Sequence, residues 1–300
     1  MTRDINNEII CVGEILWDGL PSGLYLGGAP LNVCLHLHNL GEQSTIFSRV
    51  GDDRLGKEAL RRLRAKGLST ELIQIDNKRE TGFVAVELDR TGDPNYQFIE
   101  PTAWDYISPK NALYKRLDKA WGIVFGSLAQ RNGRSRNTIQ QLLNSDCHKV
   151  FDVNLRAPHF NRDIIETSLY AADILKINES ELEQLYEWFK ITKSSEGSVR
   201  MLAQKFDCPV IAVTRGAEGA ELLYHDSWFS CPSHEVNVAD TVGAGDAFTA
   251  ALLSGIKSGK TGKEIIAFAN AAGAYVASKN GAIPAYDTQE IKAISNSKMI

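Results

Sequence analysis

Residues Ile174-Leu175-Lys176-Ile177-Asn178-Glu179-Ser180-Glu181-Leu182-Glu183-Gln184-Leu185-Tyr186-Glu187-Trp188-Phe189 pass from a short apolar, β-branched run directly into a helical pattern. The run 174–177 reads as a strand covered on both faces, and 179–189 as the helix that follows it. The same two-part unit recurs along the chain. Further strand runs stand at 9–12, 45–50, 122–125, 150–153 and 210–214. Between them Pro30 opens a helix, Asp53 caps another whose Leu55, Ala59, Leu60 and Leu63 share a face, and 263–278 reads as a late one. Neighbouring parallel strands need a crossover, usually a helix. The alternation therefore predicts an α/β fold with a mainly parallel central sheet and helices on both faces.

One segment breaks the rhythm. At 81–107, Phe83-Val84-Ala85-Val86, turn residues at 89–94 and Tyr96-Gln97-Phe98-Ile99 read as a hairpin, with no helix that fits. A hairpin has no place inside a parallel core, so it projects from the sheet edge as a lid, a dimer contact or a simple edge ribbon. No repeat or long linker interrupts the chain, which reads as a single domain over 1–300 with this appendage.

Composition narrows the function classes. The 300 residues carry 33 Lys plus Arg against 37 Asp plus Glu, a formal net charge of −4, which gives no bulk attraction for nucleic acid. At 43% hydrophobic and 23% charged the chain is not of disordered composition, and no stretch approaches the roughly 18 apolar residues of a bilayer span. Neither nucleic acid nor membrane is an expected partner. The opening MTRDINNEII puts Asp4 and Glu8 where a signal peptide carries basic and then apolar residues, so the expected location is cytoplasmic. Five scattered cysteines with no Cys-x-x-Cys pair are expected as buried thiols. His36 and His38, two apart in a helix, diverge in direction and do not suit a shared metal.

The chemistry concentrates at Asp240-Thr241-Val242-Gly243-Ala244-Gly245-Asp246-Ala247-Phe248, where small residues run into a strong helix pattern. The first N–H groups of a helix lack internal partners and carry the positive end of the macrodipole, so Gly243-Ala244-Gly245 suits a phosphoryl group. Asp246 does not suit plain anion binding. It is either a general base for a hydroxyl attacking that phosphoryl group or an acid that complements the helix dipole. Downstream, the residues at 255–261 imitate a phosphate loop with one residue too few between glycines, and read as a turn between helices.

A second cluster is Gly27-Gly28-Ala29-Pro30-Leu31-Asn32, preceded by Gly13-Glu14-Ile15-Leu16-Trp17-Asp18 at the end of the first strand. Open sheets bind ligands where such loops converge. Asp18 and Asn32 suit sugar hydroxyls, and equally suit turn formation and a solvent-facing polar site.

The stretch 27–41, Arg49-Val50-Gly51-Asp52-Asp53 and residues 240–246 resemble, in this order, the two signatures of the ribokinase-like sugar kinases, also called the phosphofructokinase-B family. Gly13-Glu14, Asp18-Gly19-Leu20-Pro21 and the Gly-Gly-Ala-Pro-x-Asn form are most similar to the fructokinase branch. The resemblance implies a ribokinase-like fold with lid strands inserted at about 14–27 and 81–107, which offer a homodimer contact. It also implies an ATP-dependent sugar kinase using Mg²⁺. The γ-phosphoryl group would pass to a hydroxyl of a ketohexose, D-fructose giving fructose 6-phosphate. A 2-keto-3-deoxygluconate or nucleoside kinase is the alternative within the family; a catalytically idle sugar-binding or regulatory protein is the alternative outside it.

Carried over by position, the resemblance makes Asp246 the catalytic base and Gly243, Ala244 and Gly245 the anion hole. Asp18, Gly27, Gly28 and Asn32 would touch the sugar, Phe98 of the lid would pack on it, and Asn154 and Arg156 would face substrate or phosphate. Asn178 and Glu181 match an Asn-x-x-Glu motif that organises water, Mg²⁺ and nucleotide phosphates, and otherwise read as a helix cap and a solvated glutamate. Thr214, Gly216 and Gly219 match a nucleotide loop, and Asn270 a position beside adenine. Asp240 and Val242, with carbonyls of 281–285, match a site for a monovalent cation such as K⁺, where Ala285 stands in place of the serine of some members.

Overall fold

Residue side chains alternate across a strand, so a strand apolar at every position must be covered twice. Strands at the centre of the main sheet are covered in this way. Ile9 and Cys11 enter one core while Ile10 and Val12 enter the other, and Val210 and Ala212 are likewise opposed to Ile211 and Val213. The computed structural model describes residues 7–20, 23–88, 94–192 and 195–296. Asp4, Pro21 and the turn expected around 89–93 lie outside the described residues.

The chain begins with β1 (Ile9–Val12), β2 (Leu16–Leu20), β3 (Gly23–Gly27), α1 (Ala29–Asn39), β4 (Ser44–Gly51), α2 (Arg54–Ala65) and β5 (Ile73–Asp76). There follow β6 (Gly82–Leu88), β7 (Pro94–Phe98), α3 (Asn111–Leu117), β8 (Gly122–Gly126), α4 (Gly133–Leu142), β9 (His148–Asp152), α5 (Arg162–Ala171), β10 (Ile174–Asn178) and α6 (Glu179–Phe189). The last part holds α7 (Ser195–Phe206), β11 (Val210–Thr214), β12 (Ala220–Tyr224), β13 (Ser227–Cys231), α8 (Ala244–Lys257), α9 (Gly262–Ala277) and α10 (Thr288–Ser295).

The nine-stranded sheet has the order β13-β12-β11-β10-β9-β8-β1-β4-β5. It is parallel from β11 to β5, and β12 and β13 extend it antiparallel. One face is covered by α1, α2, α8, α9 and α10 through residues such as Leu31, Leu63, Ala251, Ile265 and Ile291. The opposite face is covered by α3 to α7 through Leu113, Ile139, Ile165, Leu185 and Leu202, and there Phe125 stacks on Phe151 with ring centroids 5.0 Å apart. A small second sheet has the order β3-β2-β6-β7, with β2 and β6 parallel and the other two pairs antiparallel. This is the mixed α/β architecture with an extra small sheet that the sequence predicts.

Several elements differ from the expectation. The sequence runs did not mark β5, β12 or β13. A one-turn 3₁₀ helix at Ala103–Tyr106 stands where no helix was expected, because Thr102 and Asp105 form a capping box, with Thr102 N–H donating to Asp105 Oδ2 at 2.9 Å. The glycine-rich stretch at 255–261 is the turn from α8 to α9, in which Thr261 caps the second helix. All five cysteines are buried.

Candidate active site

Helix N-termini and strand C-termini meet at one edge of the main sheet. There α1 and α8 pack side by side, and their first turns face each other. The entry to α1 bends at Gly28, whose φ is 115°; a Cβ there would collide with the Glu14 carbonyl and come within 3.3 Å of Glu14 Cγ. Glycine thus lets the chain cross Glu14 closely and present Asn32 one turn later. Asn32 Nδ2 donates to Asp246 Oδ2 at 2.8 Å, while Asn32 Oδ1 is buried with no partner among the described residues. Glu14 Oε2 is a second buried oxygen without a partner among those residues. On β2, Asp18 lies over the Gly27 end of β3: its Oδ2 is 2.9 Å from the position of a Cβ on Gly27.

Three carboxyls at this site are shifted upward. Asp246 is pushed up to about 7 by burial and by the nearby Asp152, against the opposing pull of Asn32, Lys176 and Arg156. Burial raises Glu14 to about 7, although the N–H groups of Glu14 and Ala29 and the charges of Arg156 and Arg131 favour its ionised form. Asp18 rises to about 6 through burial, opposed by Arg156. The exposed Arg156 is the cation whose charge acts on all three. A pocket that holds several carboxyls near neutrality suits a ligand rich in hydroxyls, which can donate to an ionised acid and accept from a protonated one.

The anion side is built by α8. Its N-cap, Gly243, has φ 80°, and the N–H groups of Gly245 and Asp246 have no acceptor among the described residues. Under this turn Lys176 Nζ meets Asp152 Oδ1 at 3.2 Å, and Thr249 Oγ1 donates to Asp152 Oδ2 at 3.0 Å. Burial alone would push Lys176 down, but Asp152, Glu181 and Asp246 outweigh it and hold the ammonium charged. Asn178 caps α6 by accepting from Glu181 N–H at 2.9 Å, and Glu181 Oε2 accepts from Asn178 N–H at 2.9 Å. The other Glu181 oxygen accepts from Leu155 N–H at 3.0 Å. Glu181 is therefore a buried capping-box residue, 4% exposed, and not a solvated glutamate. Each of its oxygens retains a second lone pair, which fits contact with a hydrated Mg²⁺.

The remaining expected residues surround this centre at different distances from it. Asn154 adopts φ 41°, a left-handed conformation that asparagine tolerates, and its carbonyl accepts from Ser127 Oγ at 3.1 Å. Phe98, at the end of β7, packs edge-on against His159 with centroids 5.1 Å apart. The turn Gly216–Glu218 follows β11, and Thr214 Oγ1 lies 3.5 Å from Ile177 O. That turn closes where Arg215 N–H meets Gly219 O at 2.8 Å. Asn270 Nδ2 donates to Pro232 O at 2.7 Å, tying α9 to the exit of β13. Asp240 accepts from Val242 N–H at 3.0 Å and from Gly281 N–H at 3.2 Å, so it pins the 281–285 segment beside Gly243. Two carbonyls of that segment are already used: Tyr275 O–H donates to Ala285 O at 2.7 Å, and His36 Nε2 stands 3.0 Å from Ala282 O. A cleft of about 620 Å³ opens near this turn, lined by Glu179, Tyr186, Arg215, Glu221 and Cys231. It contains neither Asn32 nor Asp246.

Sequence reasoning left Glu14, Asp152 and Lys176 without roles. The signal for Lys176 was available. A lysine at the centre of a strand covered on both faces is costly unless carboxylates surround it, so its presence marks a charged cluster.

Comparisons with known proteins bear on the family and the fold. The model of the pfkB family carbohydrate kinases matches residues 22–289. An uncharacterized sugar kinase of Pyrococcus horikoshii is 31% identical over 268 residues, covering 85% of this chain and 82% of the relative. Its solved complex with ATP superposes with a TM-score of 0.81 at 28% identity, over 95% of this chain and 99% of that one. A fructokinase of Klebsiella pneumoniae is 27% identical, covering 84% of this chain and 85% of the relative. A fructokinase of Vibrio cholerae, solved with fructose, ADP and calcium, has a TM-score of 0.80 at 25% identity, over 97% of this chain and 99% of that one.

Proposed function

The chain belongs to the pfkB family of carbohydrate kinases, and we propose that its acceptor is a neutral ketohexose, D-fructose, phosphorylated at its primary 6-hydroxyl. It is an ATP-dependent sugar kinase. The observation that carries the choice of acceptor is the pocket formed around Asn32. Two buried oxygens there, Asn32 Oδ1 and Glu14 Oε2, lack partners among the described residues, and Arg156 is the one cation whose charge acts on all three carboxyls. Unmet acceptors call for ligand hydroxyls. An acceptor carrying its own carboxylate, such as 2-keto-3-deoxygluconate, would add a negative charge to an already acidic pocket. The kinship with fructokinases supports the same reading.

The mechanism follows from the two sides of the site. Asn32 and Asp18 hold the acceptor so that one hydroxyl lies against Asp246. Asp246 takes its proton, and the oxygen attacks the γ-phosphorus in line while ADP leaves. The N–H groups of Gly245 and Asp246 at the start of α8 receive the charge of the transferring group. When bound, Mg²⁺ would neutralise phosphate charge, with Glu181 holding its water shell. The small sheet, with Phe98 at its edge, acts as a lid that keeps water from competing as acceptor. Asp240, Val242 and the adjoining carbonyls offer a K⁺ site behind Gly243, in competition with the bonds from Tyr275 and His36.

The test is a panel of fructose, 2-keto-3-deoxygluconate, other sugars and nucleosides, scored by acceptor-dependent ADP release. Fructose should give the largest kcat/KM. A higher value for an acidic sugar or a nucleoside would overturn the acceptor assignment.

A further inference from the structure

We propose that Arg215 is a positioning residue: its guanidinium clamps the turn after β11 to the start of α6 and thereby sets the affinity for the nucleotide without touching it. The proposal rests on the phosphoryl-transfer reading above and deepens it on the side away from the acceptor.

In-line transfer requires the acceptor oxygen and the departing ADP to lie on opposite sides of the γ-phosphorus. The acceptor groups Glu14 and Asn32 follow β1, whereas the first turn of α8 stands over the end of β9, where Thr249 donates to Asp152. The sheet order between them runs β11-β10-β9-β8-β1. ADP must therefore extend from the α8 turn over the ends of β10 and β11. Those ends sit side by side, with Asn178 opposite Thr214 in register. The backbone that ADP meets is thus the cap of α6 at Asn178 and the turn Gly216–Glu218.

That turn has little to hold it in place. Gly216 and Gly219 have φ of 55° and 97°, and residues 216–218 are exposed. Backbone bonds from Arg215 N–H to Gly219 O and from Glu218 N–H to Arg215 O close the turn on itself without tying it to α6. The Arg215 side chain makes the tie. Its Nε and Nη2 donate to Glu221 Oε2 on β12 at 2.9 and 2.8 Å, and its Nη1 donates to Glu179, the first residue of α6. One planar fork joins three elements. Fully exposed ion pairs contribute little, but the side chains of Arg215 and Glu221 are each only 17% exposed. The guanidinium also acts from behind. Ala220 and Leu222 pack into the core on the side of α8 and α9, so Glu221 between them points to the opposite face and draws Arg215 there.

Calorimetry of ADP binding, which needs no acceptor, compares wild type with Glu179→Ala, Arg215→Met and Arg215→Met/Glu221→Gln, the last removing the carboxylate that loss of the guanidinium would strand. Each variant should bind ADP about tenfold more weakly, within the range for a group that acts on a ligand without contacting it. Arg215→Met/Glu179→Ala should bind no more weakly than Arg215→Met alone, because both changes remove one link. KM for ATP should rise in parallel, with acceptor affinity and kcat at saturating ATP within about threefold of wild type, a split that general destabilisation would not produce. A Glu179→Ala protein that folds and binds ADP within about twofold of wild type would overturn the proposal. If Arg215→Met is then also unchanged, the ion pairs are structural only; if Arg215→Met alone is weakened, the guanidinium contacts the nucleotide directly. Wild type that binds no ADP would overturn the phosphoryl-transfer reading together with the clamp, so the two failures are distinct.

Discussion

Asn32 Nδ2 donates a 2.8 Å hydrogen bond to Asp246 Oδ2, joining residues 214 positions apart at the floor of the pocket. The contact favours the ionised carboxylate, which burial and Asp152 oppose, and it aims one oxygen toward the acceptor. Replacing Asn32 by Ala should therefore do two things. Sugar binding should weaken by about 1–3 kcal/mol, the range for buried groups left unpaired, and the acid-side midpoint of kcat should move to higher pH. Calorimetry with fructose and a pH–rate profile check both; an unmoved midpoint would detach Asn32 from the base.

Asp246→Asn should lower kcat by roughly 10²–10⁴, the range for loss of a general base, with little change in sugar affinity. Steady-state rates against binding constants measure the split. Near-wild-type turnover would remove Asp246 from its assigned role.

The elevated value of Asp246, about 7, also fixes a stability trend. The folded state holds this proton to higher pH than the unfolded chain, whose Asp releases it near 3.9. Folding stability therefore falls as pH rises across that window and levels off above about 7. Asp246→Asn removes the buried charge, so its melting temperature should exceed that of wild type by more at pH 8 than at pH 5. Equal differences at the two pH values would contradict the shift.

Burial likewise raises Glu14 to about 7, and its Oε2 is buried with no partner among the described residues. In wild type, acceptor affinity should vary between pH 6 and 8 as this carboxyl ionises. Glu14→Gln should reduce that variation to the part carried by Asp246 and Asp18, while leaving ADP affinity unchanged. Titrations of both proteins at three pH values decide the matter, since parallel slopes would place Glu14 outside the acceptor site.

Arg131 ties the end of the small sheet to the core. Its Nε meets Asp105 Oδ1 at 2.8 Å, its Nη2 donates to Ile99 O at 3.1 Å, and its guanidinium lies 4.0 Å from the centre of the Trp104 ring. Arg131→Ala would strand the buried Asp105 carboxylate and should cost about 3–5 kcal/mol of unfolding free energy. Denaturant melts would show it; a loss below about 1 kcal/mol would mean the pair is solvated.

Much of this architecture was legible because central strands buried on both faces carry apolar runs, as in 9–12 and 210–213. The helix starts at Ala29, Arg54 and Ala244 were equally visible, since Pro30, Asp53 and Gly243 serve there through local backbone chemistry. What was hidden depends on tertiary neighbours. β5 reads Ile-Gln-Ile-Asp because it is an edge strand whose Gln74 and Asp76 are paired across to Ser108 and Arg49. Glu14, Asp152 and Lys176 looked like ordinary charges. Only the fold brings the ends of β1, β9 and β10 beneath α8, where those charges acquire their partners.

The bond between Asn32 and Asp246 has a consequence for how the protein is made. A ribosome that has released only the first two hundred residues has already exposed Asn32 and Asp18, but not the acid or the glycine turn that complete the reaction centre. A chain cut short before Gly243 therefore lacks one half of the candidate centre, which forms only once α8 has emerged and packed against α1.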